Sequence, residues 1–128
     1  MKLLLDTHTF LGFIGGDERL SPTARTLIED LTNDVYLSVA SLWEMAIKIS
    51  LGRLQLAQSF KTFIPHQPSL NRIGLLDIMI SHTAKVAALP FHHRDPFDRL
   101  LVAQAQIEQM SLVSSDAVFD AYEITRLW

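Results

Sequence analysis

Apolar residues in this chain follow two alternating rhythms, short continuous runs and stripes at helical spacing. "KLLL" ahead of Asp6 is a run with the length of a buried strand, and "THTFLGFIGG" after it has helical spacing and closes on Gly15 and Gly16. "SPTARTLIEDLTND" predicts a helix with Ser21 as N-cap, Pro22 in the first helical position, and Leu27, Ile28 and Leu31 along one face. A second strand follows at "VYLSV", then a helix at "SLWEMAIKISLG" closed by Gly52, then another at "LAQSFKTFI" stopped by Pro65.

Beyond the turn "PHQPS", "NRIGLLDI" predicts a third strand, weakened by Gly74 inside it. "ISHTAKVAALP" predicts a helix halted by Pro90, and "DPFDRLLVAQAQIEQM" is the clearest helix in the chain. Asp95 directly before Pro96 is its natural N-cap, which puts Asp98 at the third helical position. "SLVSS" then reads as a strand, "DAVFDAY" as a short helix and "EITRLW" as a last strand. Strands alternating with helices predict an α/β domain whose mainly parallel sheet is covered by helices. No repeat or linker divides the chain, so residues 1–128 are expected to form a single domain.

Composition narrows the chemistry. With 48% hydrophobic and 20% charged residues, 128 residues can bury a core without staples. Cysteine is absent, which excludes disulfides, a thiol nucleophile and a cysteine zinc site, and permits a reducing compartment. Asp6 interrupts the opening leucines too early for a secretory signal, and no run approaches the roughly 18 apolar residues of a membrane span. A cytoplasmic protein without membrane attachment is expected.

Ligands of an open parallel sheet bind outside the carboxyl ends of its strands. Four acids fall at such places: Asp6 after "KLLL", Glu44 in the first turn after "VYLSVAS", Asp98 in the first turn of its helix, and Asp116 after "SLVSS". Each has a structural alternative. Ser41 and Glu44 match an S-x-x-E capping box, Asp98 suits the positive end of its helix, and Asp116 suits the cap of the next. Asp6, at the buried end of a strand, is the hardest to explain without a partner.

Four carboxylates converging on one sheet edge repel one another, and a divalent cation resolves that conflict. Oxygen ligands without thiols favour Mg²⁺ or Mn²⁺, ions that activate water and offset phosphodiester charge in nucleases. The net charge of −3 argues against nucleic acid at first; with four of fourteen acids neutralised, however, ten face eleven lysines and arginines. His92 and His93 are expected to be loop or surface residues, since adjacent side chains in extended chain diverge and no H-E-x-x-H pair exists. G-x-S-x-G, Walker and dinucleotide loops are missing, and Trp43, Met45, Ile47 and Ile49 read as core or partner-contact positions.

"LLLDTHTFL", "SVASLWEMAIK", "HHRDPFDRLLVAQA" and "LVSSDAVFDAY", in this order and spanning essentially the whole chain, resemble the PIN-domain ribonucleases, in particular VapC-type toxins of type II toxin–antitoxin pairs. The resemblance implies a three-layer α/β/α sandwich with Asp6, Glu44, Asp98 and Asp116 as its catalytic acids. It further implies Mg²⁺ or Mn²⁺, RNA cleavage, a homodimer, and a cognate antitoxin that silences the enzyme. Asp6 and Asp98 are then expected to hold the principal ion with help from Asp116, while Glu44 orients or deprotonates the attacking water. Thr7 and Ser115 are candidate hydrogen bonders behind these acids. Arg99 is expected either to steer phosphate or pair with an acid, or to be a solvated helix residue.

The chain departs from the family at His8, where a serine or asparagine is common, so metal hydration is expected to differ in detail. His8 also stands where a phosphatase of the haloacid dehalogenase type requires its second aspartate, which disfavours that alternative. The other alternative is a binding module that keeps the fold without the reaction.

Overall fold

The computed structural model describes residues 1–128. Five strands, β1 (Lys2–Leu5), β2 (Asp34–Ser38), β3 (Ile73–Leu76), β4 (Ser111–Val113) and β5 (Arg126–Leu127), form one sheet in the order β3-β2-β1-β4-β5. Every pairing is parallel, with Leu3 opposite both Val35 and Ser111, and Leu5 opposite both Leu37 and Val113. β1 is therefore central, and after the exposed Lys2 its three leucines are all buried because helices cover both of its faces.

Alternation along β1 divides the core into two layers. Leu3 and Leu5 point into a cluster with Phe10 of α1 (Thr7–Ile14), Ala24 and Ile28 of α2 (Pro22–Glu29), Met45 of α3 (Val39–Ser50), and Phe63 and Ile64 of α4 (Phe60–Leu70). Leu4 points the other way, into a cluster with Leu101, Val102 and Ala105 of α6 (Pro96–Glu108), joined by Val86 of α5 (Ile80–Ala88). The result is the expected three-layer α/β/α sandwich. α5 and α6 run antiparallel: His82 near the start of α5 meets Glu108 at the end of α6, and Arg99 near the start of α6 reaches Leu89 just past α5.

Gly74 does not break β3, because a Cβ there would come within 3.1 Å of the Tyr36 ring on the neighbouring strand. The helix expected to stop at Pro65 instead begins at Phe60 and continues through Pro65 and Pro68. Each proline removes an intrahelical donor, and burial of Phe63, Ile64 and Pro68 offsets that loss. "DAVFDAY" forms a 3₁₀ helix, Ala117–Ala121. No helix is long and apolar enough to cross a membrane.

Candidate metal centre at the sheet switch point

Successive strands are added on one side of β1 through β3 and on the other side from β4 onward. Where order reverses, the connections leaving β1 and β4 part and open a crevice at their carboxyl ends. A cleft of about 420 Å³ lies there, lined by Asp6, Thr7, His8, Glu44, Lys48, Asp95, Asp98, Ser115 and Asp116, without a single apolar side chain. All four expected acids reach it, from positions far apart in the chain.

Each acid is set by local structure. Asp6 is the N-cap of α1: one oxygen accepts the Thr9 N–H at 2.8 Å and the other accepts the Ser114 hydroxyl. Each oxygen of its buried carboxylate thus has one protein donor, which supports an acid at a core strand's end and leaves lone pairs for a cation. Asp116 caps the 3₁₀ helix by accepting the Val118 N–H at 3.0 Å. Asp95 caps α6 as expected, accepting from the Asp98 backbone, and this leaves the Asp98 side chain one turn in and free of capping.

Glu44 is not part of a capping box. Ser38 caps α3, so Ser41 falls inside the helix with its buried hydroxyl unpartnered, and Glu44 is carried into the cleft from the second turn. Its carboxylate accepts the Thr7 hydroxyl at 2.5 Å and pairs with Lys48, one turn on, at 3.3 Å. Lys48 is not among the expected site residues; its i+4 spacing from Glu44 puts it on the same helix face. Thr7 therefore acts as expected, whereas the hydrogen bonder behind Asp6 is Ser114 and not Ser115. Ser114 is fully buried beyond β4, while Ser115 is exposed in the turn.

Arg99 differs from expectation, and His93, a loop residue as expected, makes a contact that was not. Arg99 is only 5% exposed and is neither a phosphate clamp nor a solvated residue. Its guanidinium donates to the carbonyls of Val86, Leu89 and Pro90 and lies 3.9 Å over the Phe91 ring, so a cation neutralises the carbonyl end of α5. His93 is not a bystander, since its Nε2 stands 2.8 Å from Oδ2 of Asp98. His92 keeps its loop role, with its ring edge-on to Tyr122.

Charge in the cleft is unbalanced. Five carboxylates line it against one ammonium, that of Lys48. Burial pushes the Asp98 carboxyl up to about 6, with Asp95 and Asp6 adding to the rise and the His93 hydrogen bond opposing it. A donor set dominated by carboxylate oxygens, with His8 the one imidazole and no thiol, and with excess negative charge suits a hard divalent cation. No three of the Asp, Glu and His side chains are close enough to form a ready-made cage. Mg²⁺ does not require one, because it keeps several of its waters and binds through one or two carboxylates.

Known proteins agree with this architecture. Over 58 residues the chain is 31% identical to Ribonuclease VapC16 of Mycobacterium tuberculosis; the aligned stretch is 45% of this chain and covers well under half, 40%, of that protein. VapBC2 from Rickettsia felis, solved bound to a promoter DNA fragment, superposes with a TM-score of 0.71 at 15% identity, covering 99% of this chain and 98% of that one. DNA-bound VapBC from Salmonella typhimurium gives a TM-score of 0.70 at 16% identity, over 99% and 97% of the two chains. At these identities the structural likeness is one of fold. The PIN domain model matches residues 3–124, nearly the whole length, and the chain belongs to the PIN-domain family.

Proposed function

We propose that this chain is an endoribonuclease dependent on Mg²⁺ or Mn²⁺ and the toxin of a type II toxin–antitoxin pair. The observation that carries the reading is the convergence of Asp6, Glu44, Asp98 and Asp116 on one polar cleft at the switch point of the sheet. Asp6 and Asp98 would hold the cation, Asp116 would help directly or through water, and all four acids would be catalytic. When bound, the cation lowers the pKa of water and offsets charge on the phosphate.

The chain's own groups supply the rest. Glu44, which accepts from Thr7 and pairs with Lys48, would take a proton from an attacking water. Lys48 is the one lysine or arginine lining the cleft and would meet a non-bridging phosphate oxygen. His8 and Ser115 line both this cleft and an adjoining hollow of about 760 Å³ that also contains Arg19 and Trp128. A single strand leaving the cleft could stack a base there, which favours unpaired RNA as substrate.

Residues 1–128 would act as one nuclease domain in the cytoplasm, as a homodimer, held inactive by a cognate antitoxin. Support for the antitoxin comes from the structural neighbours, several of which were solved as toxin–antitoxin complexes. Induced expression in a bacterial host tests the proposal. Wild-type chain is expected to arrest growth and fragment cellular RNA, and Asp98→Asn to do neither; equal arrest by the two proteins contradicts the assignment.

A further inference from the structure

We infer that Arg99, Tyr122 and His93 form a chain of positioning residues that sets the orientation of Asp98. The inference rests on the proposed reading of Asp98 as a cation-holding carboxylate, and adds residues that this reading does not require. His93 belongs to the non-helical connection between α5 and α6, a segment with no ladder of its own to hold it. Its backbone is held by a single oxygen. The Tyr122 hydroxyl accepts the N–H of His93 at 3.0 Å and that of His92 at 3.2 Å.

The same hydroxyl accepts Nη1 of Arg99 at 3.2 Å, and Arg99 is itself fixed by three carbonyls at the end of α5. Three N–H donors facing one phenol oxygen exceed its two lone pairs, which explains two of these contacts being long. Both anchors are buried, Tyr122 and Arg99 each at 5% exposure. From this support the His93 ring reaches Oδ2 of Asp98. Asp98 and Arg99 are neighbours in α6, so the contacts close a circuit around the start of that helix.

Asp98 lines the cleft and His93 does not, so the ring engages one carboxylate oxygen from outside the cleft. A carboxylate with one oxygen tied to a supported donor loses rotational freedom that it would otherwise forfeit on binding a cation. Partners of this kind are worth about 10- to 100-fold in metal affinity.

The test is Mn²⁺ affinity by titration calorimetry on the full chain, in a double-mutant cycle of Tyr122→Phe and His93→Ala, with His93→Gln as the conservative variant that keeps an amide donor. His93→Ala is expected to weaken Mn²⁺ about 10-fold, Tyr122→Phe to weaken it by a smaller factor, and the double variant to match His93→Ala alone. His93→Gln should recover part of the loss. Additive losses, or unchanged affinity in folded His93→Ala, overturn the inference while leaving the nuclease reading intact. Failure of wild-type chain to bind Mn²⁺ overturns that reading instead, and the circuit is then decided without metal. The ¹⁵N shift of His93 Nε2 is expected to move in both Asp98→Asn and Tyr122→Phe, and a shift unmoved by either refutes the circuit.

Discussion

Ser114 Oγ donates a hydrogen bond to Oδ2 of Asp6, joining residues 108 positions apart in the chain, and the same oxygen accepts the backbone N–H of Asp116. One buried hydroxyl therefore sets the spacing between the first and last acids of the cleft. Ser114→Ala is expected to lower Mn²⁺ affinity by about 10-fold or more and stability by about 1–3 kcal/mol. Calorimetric titration and urea melts measure the two losses separately, and unchanged Mn²⁺ affinity would contradict the role given to this serine.

Asp98 carries a stability cost that reverses with pH. Burial, the chief cause, pushes its carboxyl from an ordinary 3.8 up to about 6 in the folded chain. Between those values the folded chain binds more protons than the unfolded one, so stability falls as pH rises through that window, and the cost is complete above it. With chelator present, Asp98→Asn is expected to be more stable than wild type at pH 7, by about 1–2 kcal/mol after discounting for solvent. The two proteins should converge near pH 4. Urea melts at both pH values check the sign, and a less stable Asp98→Asn at pH 7 would be the wrong one.

Arg99 is expected to affect folding and not substrate. Arg99→Ala removes donors from three carbonyls and from Tyr122, at about 3 kcal/mol. Arg99→Lys should recover only part of this, since a single ammonium cannot reproduce the guanidinium fork. Thermal melts report the loss, and Michaelis plots on the folded fraction are expected to keep the wild-type KM for RNA. A raised KM with undiminished stability would restore the phosphate-steering role.

Lys48 opposes the cation and assists the substrate. Lys48→Met removes a positive charge beside Glu44, so Mn²⁺ affinity is expected to rise about 3- to 10-fold at low salt while KM for RNA also rises. Mn²⁺ titrations and Michaelis plots on one preparation read both changes, and a fall in Mn²⁺ affinity would mean that Lys48 supports the acids.

Much of the fold was legible because each apolar run and stripe is local. "KLLL" cannot be a half-exposed strand, and Asp95-Pro96 can hardly do other than start α6. Asp98 followed from that cap, Asp6 and Asp116 from their places just beyond β1 and β4, and Glu44 from the helix that follows β2. What escaped depends on which elements meet. Arg99 is buried because the α5–α6 hairpin brings carbonyls to it, and His93 matters because Tyr122, from beyond β4, seats its backbone. The S-x-x-E pattern at Ser41 and Glu44 misled for a local reason: Ser38, three residues earlier, is an equally good cap and is the one used. In the same way, Ser114 and Ser115 are interchangeable by type, and only the end of β4 decides which of them is buried.

Cleavage of single-stranded RNA by purified wild-type chain, Asp6→Asn and Asp98→Asn, followed in Mn²⁺ and in chelator, reads whether the clustered acids hold a divalent cation for RNA cleavage. Wild type is expected to cut in Mn²⁺ and stop in chelator, with each variant slowed by at least about 100-fold at unchanged fold, the scale of losing one preorganised charged group. Cleavage that persists in chelator, or folded variants that cut at the wild-type rate, would contradict the account.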